Sequence, residues 1–251
     1  MFEVKLDNAK YWRDCVESIV SLIDEGTFNI TEEGISLRAL DPSNISMVVF
    51  SIPKKSFSTY KVEENNKITI NIENLAKILS RAREHEQLVM KDSDSKLVLE
   101  FIGNKSRRRY KLPLLSGGKT FEKEPKPEFD AFVEISSDHL KDIIKDVNMI
   151  STHIQFKASK NDFSINAVGE PSELEETHEI DGEVVKKIDA KSEAKATFNI
   201  QFLENMVKSC PSGNKITLAL KNDEPLKLSY KIGDADVVYY LAPYTAPYSE
   251  E

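Results

Sequence analysis

Apolar and polar residues alternate with a period of two along much of the chain. The runs Ile45 to Ile52, Leu97 to Phe101 and Leu226 to Ile232 have this pattern, which marks strands buried on one face only. The alternation from Gln87 to Leu99, and again from Lys215 to Leu228, predicts one strand in each segment. Four segments follow a helical period instead. Trp12, Cys15, Val16, Ile19 and Ile23 share one face of the first, and Ile72, Leu75, Ala76 and Leu79 one face of the second. Leu140, Ile143, Ile144 and Val147 do so in the third, and Leu203, Met206 and Val207 in the fourth. Each is a narrow apolar stripe on a polar helix, as expected for helices lying on one face of a sheet.

The pattern repeats. Ile70-Asn71-Ile72-Glu73-Asn74-Leu75 parallels Phe198-Asn199-Ile200-Gln201-Phe202-Leu203, and both lead into a short helix. Phe2-Glu3-Val4-Lys5-Leu6 parallels Phe132-Val133-Glu134-Ile135-Ser136, and Ile35 to Leu40 parallels Phe163 to Val168. Each copy closes on a strand and a proline, Tyr110-Lys111-Leu112-Pro113 and Tyr240-Leu241-Ala242-Pro243. Four matches in the same order indicate an internal duplication. The predicted fold is α+β: two similar domains, 1–115 and 132–251, of antiparallel sheets with two helices each. Between them, residues 116–131 are rich in glycine, proline and charge and read as a linker.

Composition narrows the function. Hydrophobic residues are 40% and charged residues 30%, as in globular domains. No apolar run is long enough to span a membrane, no signal-peptide pattern opens the chain, and the two cysteines form no disulfide framework. The net charge of −8 argues against a nucleic-acid binder, but net charge does not report distribution. The polar faces of the helices carry Lys10 and Arg13, Lys77 and Arg81, Lys141 and Lys145, and Lys208. Cations a turn apart can follow phosphates without reading bases. Interspersed acids (Asp14, Glu17, Glu73, Asp142, Glu204) make that contact weak. Ordinary solvated charge is the competing reading.

Two oppositely charged segments suggest self-association. Arg107-Arg108-Arg109-Tyr110-Lys111 is cationic, and Glu170 to Glu179, with Glu173, Glu175 and Glu176, is anionic. On separate domains they suit a head-to-tail contact that can close into a ring. Arg81 and Arg83 against Asp138, Asp142 and Asp146 is a second candidate pairing. Catalytic signatures are absent from the sequence. Ser116-Gly117-Gly118-Lys119-Thr120 lacks the first glycine of a phosphate loop, since Pro113 stands there. The four histidines lack zinc spacing, and no metal or cofactor is expected. Cys15 sits on an apolar stripe and reads as core.

The opening Met1-Phe2-Glu3, the segment Leu40-Asp41-Pro42-Ser43-Asn44-Ile45-Ser46-Met47-Val48, the helix with Leu75-Ala76-Lys77-Ile78-Leu79 and the ending Tyr239-Tyr240-Leu241-Ala242-Pro243 resemble the PCNA family of sliding clamps. The short acidic tail looks more archaeal than eukaryotic. The resemblance implies a homotrimeric ring around duplex DNA, not an enzyme, working in the cytoplasm at the nucleoid. It implies helices lining the hole and a pocket under the linker for the PIP motifs of polymerase, clamp loader (replication factor C), ligase and flap endonuclease. By position, that pocket would use Leu40, Asn44, Ile45, Met47, Phe121, Pro225, Tyr240, Leu241, Ala242 and Pro243. Asn44 stands where many relatives have histidine. One subunit of a heteromeric replication or checkpoint-type clamp is the alternative.

Overall fold

The structure is a computed structural model of the 251-residue chain and describes residues 1–118, 121 and 123–245. The predicted-linker residues Lys119, Thr120 and Glu122, and tail residues 246–251, lie outside the described residues. The chain divides into two compact units, residues 1–124 with 231–237, and residues 125–230 with 238–251.

The first half runs β1 (Phe2–Leu6), α1 (Ala9–Val20), β2 (Glu25–Thr31), β3 (Gly34–Leu40), β4 (Ser46–Pro53), β5 (Thr59–Val62), β6 (Asn66–Asn71), α2 (Ile72–Leu79), β7 (Gln87–Ser93), β8 (Lys96–Gly103) and β9 (Ser106–Pro113). The second runs β10 (Ala131–Ser136), α3 (Ser137–Asn148), β11 (His153–Ala158), β12 (Asp162–Val168), β13 (Glu173–Glu179), β14 (Val185–Ala190), β15 (Ala194–Asn199), α4 (Ile200–Val207), β16 (Lys215–Leu220), β17 (Leu226–Ile232) and β18 (Ala235–Leu241). The first half orders its strands β5-β1-β7-β8-β9 and β4-β3-β2-β6. The second repeats both orders as β14-β10-β16-β17-β18 and β13-β12-β11-β15. The duplication read from sequence is therefore a duplication of topology.

Helix α1 starts where the Asn8 side chain accepts from the Lys10 backbone N–H, and α2 and α4 start likewise at Asn71 and Asn199. Such caps satisfy N–H groups that the first helical turn leaves unpaired. The predicted apolar stripes are the buried faces. Trp12, Val16 and Ile19 are buried, each contributing about 1.5–3 kcal/mol, and the Trp12 ring meets Phe28 and Phe50 at 5.8 and 6.0 Å.

Three expectations are corrected. Helix α1 ends at Val20, and buried Ile23 follows it, its N–H donating to the Ile19 carbonyl at 3.3 Å. Gln87 to Leu99 is a hairpin, not one strand, because Asp94 and Ser95 both adopt positive φ and reverse the chain. Lys215 to Leu228 is likewise two paired strands, β16 and β17. In both, a polar run interrupts the alternation at the turn, Lys91 to Lys96 in the first and Lys221 to Glu224, followed by Pro225, in the second. No helix among the described residues is long and apolar enough to cross a membrane.

Candidate functional site

Three surfaces carry the predicted functional residues. The first is a hollow of about 480 Å³ in the first half, lined by the ends of β2 and β3, Thr69 and the start of the linker. Leu40, Asn44 and Phe121 line it. Its wall is the loop after β3. Asp41 is buried, and its carboxylate accepts from the Ser43 and Ser46 backbone N–H groups at 2.8 and 2.5 Å and from both serine hydroxyls. Burial alone would raise its pKa, but these hydrogen bonds hold the carboxyl below the usual carboxylate range. The loop so fixed exposes Pro42, Ser43, Asn44 (φ 59°) and Ile45, the last 41% exposed.

The floor of the hollow comes from residues that the sequence did not single out. Thr27 and Thr69 share a hydrogen bond of 2.8 Å, and Gly118 rests on that pair. A Cβ on Gly118 would stand 2.1 Å from Thr69 Oγ1 and 2.5 Å from Thr27 Oγ1, so only glycine fits. The Leu115 N–H donates to the Thr69 carbonyl at 2.8 Å, which holds the start of the linker. Met47 is buried in β4 opposite Leu40 and does not line the hollow. In the second half, Pro225 precedes β17, Tyr240 and Leu241 are buried at the end of β18, and Ala242 and Pro243 follow half-buried. Lys227 Nζ lies 5.6 Å from the Tyr240 ring centre.

The second surface is the helical one. Most of its cations are paired locally: Lys10 with Glu84 at 2.6 Å, Arg13 with Asp14 at 2.6 Å, Lys77 with Glu73 at 2.9 Å and Lys145 with Asp142 at 2.8 Å. The hydrogen bond to Asp142 raises the Lys145 pKa, and that from Lys10 lowers the pKa of Glu84. Lys141 donates to the Cys210 carbonyl. Arg81, Arg83 and Lys208 are exposed, with no ion pair among the described residues. Asp146 is exposed on α3, while Asp138 is engaged by the Gly213 N–H and the Ser212 hydroxyl.

The third surface consists of two sheet edges. Strand β9 ends one sheet and β13 ends another. On β9, Arg107, Arg109 and Lys111 point outward. Arg109 Nε lies 2.7 Å from Glu100, with Arg107 and Lys91 at 3.7 and 3.9 Å, so three cations surround a carboxylate only 5% exposed. Arg108 turns inward, donating to Glu86 at 2.5 Å and to the Arg81 carbonyl at 3.0 Å. On β13, Glu173 and Glu175 are exposed, and Glu176 lies 2.7 Å from His178. Among the described residues, no group of histidines, cysteines or carboxylates is placed to hold a metal. Both cysteines are buried, and burial pushes the Cys210 thiol up to about 11.

Comparison with known proteins matches this arrangement. The profile "Proliferating cell nuclear antigen, N-terminal domain" matches residues 1–114, and its C-terminal counterpart matches 123–245. The chain belongs to the proliferating cell nuclear antigen (PCNA) family. A DNA polymerase sliding clamp from Thermococcus fumicolans is 33% identical to it over 243 residues, 96% of this chain and 98% of that one. PCNA from Thermococcus kodakaraensis superposes with a TM-score of 0.92 at 25% identity, covering 97% of this chain and 100% of that one. A. fulgidus PCNA, solved with the C-terminal region of FEN-1 bound, gives 0.89 at 25% identity, covering 98% and 100%. The PCNA fold accounts for the doubled strand order and the four helices.

Proposed function

We propose that this chain is the subunit of a DNA sliding clamp, a tether rather than a catalyst, three copies of which join head to tail in a homotrimeric ring around duplex DNA inside the cell. The observation that carries the reading is the family match along the chain, joined to two sheet edges of opposite charge. Unpaired edges are templates for another strand. If β9 of one copy pairs antiparallel with β13 of the next, setting Arg109 opposite Glu175 also sets Lys111 opposite Glu173 and Tyr110 opposite Leu174. Arg108 then faces Glu176. Its Nε is buried without a hydrogen-bond partner among the described residues, and a carboxylate would supply one. Cross-strand pairs of opposite charge each contribute about 0.2–1 kcal/mol. Arg81 and Arg83 with Asp142 and Asp146 would add rim contacts.

The functional domains are proposed as 1–115 and 132–251, joined by the linker. Lys10, Arg13, Lys77, Arg81, Lys141, Lys145 and Lys208 would face DNA. Because most are already paired with acids, their hold on phosphate is weak and blind to sequence, which suits sliding. Enclosure, not affinity, keeps the ring on DNA. The hollow at Leu40, Asn44 and Phe121, with Ile45 exposed beside it, is the seat for aromatic-bearing segments of polymerase, clamp loader, ligase and flap endonuclease. Pro225, Tyr240, Leu241, Ala242 and Pro243 are proposed as further contacts for the same partners, and Met47 lies in β4 opposite Leu40. A docked partner gains processivity through effective concentration.

The test is topological. Labelled protein loaded onto a nicked circular duplex should stay with the DNA through gel filtration and leave when one cut linearises the circle. Equal retention on linear DNA would overturn the reading.

A further inference from the structure

The second half contains its own hollow, of about 220 Å³, lined by Ser151, His153, Gln155, Asn166, Ala167, Val168, Thr197 and Tyr244. It is the duplicate of the first. Ile23, Glu25, Thr27, Ala39, Leu40 and Thr69 line the first hollow, and Ser151, His153, Gln155, Ala167, Val168 and Thr197 line the second. Each pair is displaced by 128 positions, as 197 is from 69. In both halves the chain past the last strand returns to the same threonine. Leu115 N–H donates to the Thr69 carbonyl at 2.8 Å, and Tyr244 N–H to the Thr197 carbonyl at 2.7 Å. Each hollow is also lined by an aromatic residue from that segment, Phe121 in the first and Tyr244 in the second, where Tyr244 packs over His153 with centroids 3.8 Å apart.

The lining of this hollow is mostly polar, with the exposed apolar Val168 at one side. Val168 is 73% exposed and Met149 is 80% exposed. Gly169 and Ile150, the neighbours of these two, are pressed together, since a Cβ on Gly169 would lie 1.9 Å from the Ile150 carbonyl oxygen. Exposed apolar side chains gathered at a hollow mark an interaction surface.

We propose that this hollow is a second peptide seat, taking an extended segment of a partner protein that bears an aromatic residue, and that Tyr244 is a tethered plug occupying it. Tyr244 itself demonstrates the fit: one backbone N–H to the Thr197 carbonyl and one ring on the His153 face. Gln155, Asn166 and Ser151 offer polar groups in its lining, and Val168 offers apolar cover. A tethered residue competes at millimolar effective concentration, so partners reach this seat only by displacing it. The proposal rests on the first hollow being a peptide seat.

The test uses the full chain and a labelled synthetic peptide of residues 241–245, Leu-Ala-Pro-Tyr-Thr. Tyr244→Ala should bind the peptide at least about tenfold more tightly than the unaltered chain. Val168→Asp in that background should abolish the gain, whereas Leu40→Asp should leave it intact. Equal binding with and without Tyr244, or no binding by either protein, would overturn the second seat. A gain lost on Leu40→Asp but kept on Val168→Asp would overturn it too while upholding the first hollow.

Discussion

Asp41 and Gly169 hold equivalent positions, each the first residue after its strand, β3 or β12. Asp41 turns its carboxylate into a loop and gathers four hydrogen bonds from Ser43 and Ser46. Four residues, Pro42 to Ile45, are thereby held out in solvent. Gly169 has no side chain to organise a loop. Its N–H donates to the Ser172 carbonyl at 2.9 Å, its α-carbon presses on the Ile150 carbonyl, and the turn is tight. The strand frame is one duplicated design, and the side chains just beyond it decide what each copy offers. The first copy builds a walled hollow. The second leaves a shallower one with Val168 bare.

The largest effect is expected at the tightest contact. Gly169→Ala drives a methyl into the Ile150 backbone oxygen and should cost about 3 kcal/mol, read from urea unfolding. Asp41→Ala removes the loop's anchor and leaves the Ser46 N–H, in a buried residue, unsatisfied; it should cost about 2 kcal/mol. Hydrogen exchange should then quicken at Ser43 to Ser46 and not at Gly169 to Ser172. A change spread evenly over both halves would contradict the assignment.

A pH series sharpens the same contrast. The Asp41 carboxyl is held below its ordinary value by the hydrogen bonds it accepts. Its stabilisation is therefore complete above the unfolded pKa of about 3.9 and is lost as pH falls through the folded value. Asp41→Asn should flatten that part of the acid limb of stability, while changes in the Gly169 turn should not. The smallest effect is expected at the helices. Lys208 has no ion pair among the described residues, whereas Lys77 is paired with Glu73. Lys208→Ala should reduce the salt slope of DNA binding by about one, and Lys77→Ala should do less.

Periodicity made the frame legible. The duplication, the four helices and their buried stripes follow from apolar spacing, because one-sided burial forces that spacing. The proposed linker rests on its glycines and prolines. The hairpin turn at Asp94 and Ser95 was read through because neither residue is glycine, although the polar run Lys91 to Lys96 interrupts the alternation there. The floor of the first hollow was hidden for a related reason. Thr27 and Thr69 are polar residues in strands and read as solvent-facing, yet they bind each other beneath Gly118. The arginine run was visible, but its partners Glu86 and Glu100 were not. Glu100 meets Arg109 only once the β8–β9 hairpin sets them opposite each other, and Glu86 meets Arg108 only through the packing of the loop before β7.

Solution mass reports most directly whether the oppositely charged edges close the chain on itself. Light scattering on a sizing column at moderate salt should give three times the 28.5 kDa of the chain. Arg109→Glu should lower that mass, and pairing it with Glu175→Arg should restore it. A stable 28.5 kDa monomer at micromolar concentration would contradict the self-closing ring.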